Sequence, residues 1–136
     1  MSEQDNGHAI KRIDDMEAVY FGAFKRVRAE LGVSSFGIQL IDLPPNTDQY
    51  PDHDHAEDGQ EEVYIAIRGS GEIEIEGERH VIDPETMVRV SSGTSRKVYT
   101  GDEALRLLIV GGVPGKAYEV SPDHELGAPD PSAAAR

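Results

Sequence analysis

The stretch "YPDHDHAEDGQEEVYIAIRGSGEIEIEGE" (residues 50–78) decides how this chain is read. It sets His53 and His55 one residue apart, follows them with a loop rich in carboxylates, and then runs into segments with strand character. In extended backbone, residues two apart point to the same side. His53 and His55 can therefore aim both imidazoles at one point. Histidine is the commonest metal ligand among side chains. A carboxylate from the next strand would complete a facial set of two His and one carboxylate. Such a set suits iron, manganese, zinc or nickel and leaves positions open for substrate. Tyr64 and Ala66 share the face of Glu62 by alternation, whereas Glu61 faces away.

Working outward, "EVYIAIR" (62–68) is apolar on both faces, as in a strand covered on both sides. "GEIEIEGERHVI" (71–82) sets Ile73 and Ile75 against Glu72, Glu74 and Glu76, with a tight hairpin at Gly77. Upstream, "SFGIQLIDL" (35–43) alternates until Pro44-Pro45 stops it, since proline cannot donate to a ladder. Downstream, "MVRVS" (87–91), "RKVYT" (96–100) and "ALRLLIVGG" (104–112) continue the series. Short strands punctuated by Gly, Pro and Asp predict a sandwich or barrel. Before them, Met16, Tyr20, Phe24, Val27 and Leu31 line up one face of a helix. Asp14 or Asp15 would cap it, Gly32 would end it, and residues 22–31 are expected to be helical. Lys25, Arg26 and Arg28 fall off that stripe and read as a solvated face.

The 136 residues suit one domain with a modest core. There is no cysteine, so disulfides and thiolate metal sites are excluded, and a metal would need His, Asp, Glu or water. The polar start "MSEQDNGHAIKR" lacks the apolar segment of a secretory signal. No apolar run approaches the roughly 18 residues of a membrane span. The expected location is the cytoplasm, with no membrane partner. A net charge of −13 opposes phosphate backbones, so nucleic acid is not an expected partner. Residues 1–8 and 127–136 read as flexible tails, leaving a single domain over 9–126.

These residues resemble the cupin family. His53 and His55 match the two histidines of its first motif, Glu62 the glutamate and Gly69 the glycine. "ETMVRVSSGTSRKVYT" (85–100) is similar to the second motif, with Gly93 matched. The resemblance spans residues 36–113. It implies an all-β fold, a small antiparallel jelly-roll β-barrel with a pocket inside, here preceded by the short N-terminal helix. It also implies a homodimer. The apolar outer face of 62–68 and 104–110 needs cover, either from that helix or from a second subunit. The chain departs from the pattern in four places. "AEDGQE" makes a longer gap between His55 and Glu62, Ser91 replaces a proline, Glu85 replaces a glycine, and Arg96 stands where the family carries its third metal-ligand histidine.

Arginine stays protonated and offers no lone pair to a metal. Facing inward at about 6 Å and an effective dielectric of about 20, it would repel a divalent ion by about 5 kcal/mol before the attraction of Glu62 is counted. Three readings stay open. In the first, His53, His55 and Glu62 hold a divalent metal, and Arg96 anchors the carboxylate or phosphate of a small ligand beside it, with Tyr64, Ala66 and Tyr99 as lining; Arg89 is a further candidate. In the second, no metal binds, Arg96 pairs with Glu62 inside the barrel, and the histidines hydrogen-bond to that pair. In the third, Arg96 turns outward and the barrel is a dimeric scaffold. As an enzyme, the first would be a metal-dependent oxygenase, isomerase or lyase acting on a small anionic metabolite. No cysteine or Gly-x-Ser-x-Gly nucleophile is present, so acid–base work would fall to His53, His55 or Tyr64. The others describe a non-enzymatic ligand-binding or scaffold protein. Asp52, Asp54, Glu57 and Asp58 are expected to be solvated, His80 to be an exposed strand residue, and His8 and His124 to lie outside the site.

Overall fold

A computed structural model describes residues 7–133. Its strands are β1 (Ala18–Val19), β2 (Phe24–Lys25), β3 (Gly37–Leu43), β4 (Glu61–Gly69), β5 (Gly71–Ile75), β6 (Glu78–Ile82), β7 (Met87–Val90), β8 (Arg96–Tyr99) and β9 (Leu105–Gly112). A six-stranded sheet runs in the order β1-β2-β3-β9-β4-β7, and a three-stranded sheet in the order β6-β5-β8. Every pairing is antiparallel. The sheets face each other across one core, where Tyr64 and Leu107 of the larger meet Ile73 and Val98 of the smaller, all with zero exposure. The alternating segments predict a sandwich or barrel, and the arrangement is the antiparallel jelly roll that the family resemblance implies.

Local sequence explains the corners. Gly69 closes β4 with φ +83, and a Cβ there would lie 1.8 Å from the Ala104 carbonyl oxygen. Only glycine fits both demands. The β5–β6 hairpin turns on Glu76 and Gly77, both at positive φ, which matches the twist of the strands they join. After β3 the chain crosses to the smaller sheet and runs antiparallel beside β8. Thr100 donates its N–H to the Thr47 carbonyl at 3.1 Å, and His53 and Arg96 exchange backbone bonds of 3.0 and 2.9 Å. That crossing carries His53 and His55 to the barrel mouth.

The N-terminal region departs from the expected helix. Only Val27–Leu31 is α-helical (α1), ending at Gly32 in the left-handed conformation. Asp14 and Asp15 sit in a 3-10 turn without side-chain capping. Tyr20, Phe21 and Gly22 all have positive φ and turn the chain between β1 and β2, because Phe24 and Lys25 pair with Ile41 and Leu40 of β3. Tertiary pairing overrides the helical period. Part of the apolar stripe is still buried, since Met16 and Val27 pack with Leu40 on the outer face of β3. Ile67 and Met87, on β4 and β7, remain 45% and 71% exposed.

Arg26 and Arg28 are not a solvated face; they are 3% and 9% exposed. Arg26 pairs with Glu17 and donates to the carbonyls of Asp123, Ala128 and Pro129 at 3.1, 2.8 and 3.2 Å. The hydrogen bonds continue past residue 126: Gly127 donates to Glu17 at 2.9 Å, and the Tyr20 N–H donates to Asp130. The segment expected to be a flexible tail is therefore held to the domain as far as Asp130. Residues 1–6 and 134–136, the rest of the two expected tails, lie outside the described residues. Replacing Arg26 with alanine should free this segment. Cleavage after Glu125 by a glutamate-specific protease should rise about tenfold, the equivalent of about 1.4 kcal/mol of opening free energy. An unchanged cleavage rate would mean that Arg26 does not hold it.

Candidate metal centre

Glu62 is the first inward-facing residue of β4 and is 5% exposed. One donor atom from each of His53, His55 and Glu62 lies within 4.8 Å of the other two. His55 Nε2 is 3.3 Å from Glu62 Oε1, and the two imidazole rings stand edge-on, with centroids 5.2 Å apart. Each ring is held from behind. His53 Nδ1 lies 3.0 Å from the Pro51 carbonyl, which can only accept, so Nδ1 carries the proton and Nε2 keeps its lone pair. His55 Nδ1 lies 3.1 Å from the Asp58 carboxylate. Such outer partners fix ring orientation and raise the basicity of the free nitrogen.

Asp58, expected to be solvated, is half-exposed but also holds this ring. Gly59 donates its backbone N–H to the His55 carbonyl at 2.8 Å. That closes the lengthened loop and folds Asp58 back onto the imidazole. The extra residues of "AEDGQE" therefore serve the His55 side of the centre.

Beneath the centre the barrel is filled. Glu62 Oε1 accepts from the Tyr64 hydroxyl at 3.0 Å and from Arg96 Nη1 at 3.3 Å. Tyr64 in turn meets the Tyr50 hydroxyl at 3.0 Å, and Arg96 Nη2 donates to the Ser91 carbonyl at 2.9 Å. Arg96 and Tyr64 have zero exposure and Ala66 has 3%. None of the three is open to a ligand in this structure; they support Glu62 from below. The reading with Arg96 turned outward does not survive this placement. Burial pushes the Glu62 carboxyl up, but His55, Tyr64 and Arg96 outweigh it and hold the group below its ordinary range. The hydrogen bond to Glu62 raises the His55 pKa above its ordinary value despite partial burial. Burial drives the phenols of Tyr50 and Tyr64 far upward, so both stay protonated donors.

Tyr99 is not part of this site. Arg96 and Val98 take the inner face of β8, so Tyr99 points out of the barrel, bonding Glu74 at 3.1 Å under the Arg79 guanidinium. Arg89 likewise points outward, to Ser91 at 3.0 Å. His80 is exposed beside Glu78. Two neighbours of the centre escaped the sequence. Gly111 stands opposite Glu62, and a Cβ on it would lie 3.1 Å from Glu62 Cγ. Tyr118, from the irregular segment after β9, lies against Gly37. Nothing local marks either residue, because both act through long-range pairing.

The fit to a divalent ion rests on the two rear-held imidazoles and the single carboxylate, a donor set typical of open transition-metal sites. Among the described residues, no helix is long and apolar enough to cross a membrane. No curated protein matches the chain. Solved structures do. A cupin protein from Bacteroides fragilis is similar at 17% identity and a TM-score of 0.67, over 86% of this chain and 93% of that one. A sugar phosphate isomerase of the cupin superfamily from Silicibacter pomeroyi is similar at 24% identity and a TM-score of 0.53, over 59% of this chain and 52% of that one. A predicted oxalate decarboxylase from Thermotoga maritima is similar at 23% identity and a TM-score of 0.52, over 58% of this chain and 68% of that one. At these identities the likeness is one of fold. The cupin domain model matches residues 39–111, a span that includes both histidines, Glu62 and Arg96, and the chain belongs to the cupin family.

Proposed function

We propose that this cupin binds a divalent metal at the barrel mouth through His53, His55 and Glu62, and takes a small anionic ligand in the open positions of that ion. The observation that carries the reading is the rear support of both rings. Pro51 and Asp58 hold the Nδ1 atoms, and a donor atom of each ring lies within 4.8 Å of the buried Glu62 carboxylate. In this reading Arg96 stands where the family has a third histidine, and it serves as the fixed partner of Glu62 instead of a ligand to the ion. A divalent ion beside Arg96 and one carboxylate leaves the centre net positive, which favours an anion next to it. The ion would supply Lewis acidity, polarising an oxygen of that anion.

A second reading is favoured by the direct 3.3 Å contact between His55 Nε2 and Glu62. Without metal, a protonated His55 bridges Asp58 and Glu62, and the site is a closed polar network with no chemistry. One experiment separates the two. Purified protein is titrated with Fe(II), Mn(II), Ni(II) and Zn(II) by calorimetry, alongside a His53→Ala, His55→Ala variant. One ion per chain in the wild type, with affinity reduced at least 100-fold in the variant, is the expected result. A wild-type protein that takes up none of the four ions defeats the metal reading and leaves the closed network.

A further inference from the structure

Gly37 of β3, Gly111 of β9 and Glu62 of β4 stand in one cross-strand row, and side chains in such a row share a face. Glu62 points inward, and the room left by the two missing Cβ atoms is taken by Gln60 and Glu62 at Gly111 and by Tyr118 at Gly37. Neither has a positive φ, so the backbone does not demand glycine; the space does. A Cβ on Gly111 would crowd Gln60 Oε1 at 2.9 Å and Glu62 Cγ at 3.1 Å, and one on Gly37 would strike the Tyr118 hydroxyl at 2.7 Å. Tyr118 thus brings a phenol into the barrel mouth, on the inner face and level with the candidate ligand Glu62. It comes from a segment that belongs to neither sheet. Its hydroxyl forms no hydrogen bond among the described residues. Partial burial raises its pKa; Arg28 opposes the rise, and Asp58 and Glu62 add to it. It therefore remains a neutral donor.

We propose that Tyr118 is the far contact of the ligand held at the His53, His55 and Glu62 centre. One oxygen function of the ligand sits on the ion, and a second accepts from the Tyr118 hydroxyl. The proposal rests on the metal reading above and adds a ligand class to it. Two strand spacings, about 10 Å, separate the backbones of Gly37 and Glu62. The Tyr118 phenol and the Glu62 side chain both reach into that span, with the Gln60 amide beside Gly111. A dicarboxylate or hydroxy acid carries two oxygen functions, one for the centre and one for the phenol, whereas a monocarboxylate carries one. The acidic loop beside the mouth repels anions, and the neutral phenol adds a hydrogen-bond donor there without adding charge.

The test uses the full chain loaded with Co(II), whose visible spectrum reports ligand exchange at the ion. Acetate and glutarate are titrated into wild type, Tyr118→Phe and Gly37→Ala. In wild type, glutarate should bind about tenfold more tightly than acetate, as one hydrogen bond to a charged acceptor allows. Tyr118→Phe should bring glutarate down to the acetate level while leaving Co(II) and acetate affinity unchanged. Gly37→Ala, which displaces the hydroxyl without altering it, should do the same. A loaded wild type with no preference for glutarate overturns the proposal, and so does a Tyr118→Phe variant that keeps the preference. Failure of Co(II) to bind the wild type defeats the metal reading itself, and it is seen before any anion is added.

Discussion

Replacing Arg96 with methionine is expected to lower the unfolding free energy by about 3 kcal/mol. Arg96 has zero exposure, Glu62 is 5% exposed, and their contact is 3.3 Å. A buried ion pair adds little over an apolar pair of the same shape, but removing one partner strands the other. In the variant, Glu62 keeps Tyr64 and His55 and loses its one permanently charged neighbour. The Ser91 carbonyl loses its donor as well. At a urea m value of roughly 2 kcal/mol/M, the midpoint should fall by about 1.5 M. A Glu62→Gln, Arg96→Met double variant should recover most of the loss, because no charge is then stranded.

The pH dependence separates charge from packing in that experiment. The Glu62 carboxyl is held below its ordinary range in the folded chain. A depressed carboxyl pKa contributes stability that is full above the unfolded value, about 4.3, and is lost as pH falls through the folded value. The gap between wild type and Arg96→Met should therefore be widest near neutral pH and shrink on acidification through that window. A gap below about 1 kcal/mol at neutral pH, or one insensitive to acid, would assign the contribution of Arg96 to its packing alone.

The strands were legible because inner and outer residues alternate with period two. Ile73 and Val98 are buried where Glu74 and Lys97 are not, and the Glu76-Gly77 turn announced its own hairpin. The pairing of His53 and His55 was legible from parity, and Glu62 from the family motif that sets it seven residues before Gly69. Parity along β8 sets Arg96 inward and Tyr99 outward, although the sequence left the facing of Arg96 open and suggested Tyr99 as lining. The N-terminal helix failed because a pattern spaced for one helical face also suits a strap that turns twice and lays Met16 and Val27 on Leu40. No local signal distinguishes these while the partner strand is unknown. Arg26 and Arg28 looked solvated because their acceptors, the carbonyls of residues 33 and 123–129, have no side-chain signature. Asp58 and Tyr118 were missed for a related cause: their roles depend on how a loop closes and where a chain end lands.

Replacing Arg96 with histidine should raise divalent-metal affinity by about 10- to 100-fold over wild type. His53 and Arg96 form a hydrogen-bonded antiparallel pair, and residues directly opposite in such a pair point to the same face. An imidazole at position 96 therefore starts beside His53 and faces Glu62. The change removes a permanent positive charge and adds a donor nitrogen, and each factor of ten corresponds to about 1.4 kcal/mol. The gain is partly offset in stability, since a neutral imidazole there no longer forms an ion pair with Glu62. The apo variant should therefore melt below wild type and recover when metal is added. That crossing of stabilities is the diagnostic readout. It requires the ion and residue 96 to act on the same carboxylate, and general tightening of the fold cannot produce it. If the variant binds Ni(II) and Zn(II) no better than wild type, and metal leaves its melting temperature unchanged, then the ion does not feel position 96, and the arginine opposite His53 serves only to close the barrel floor.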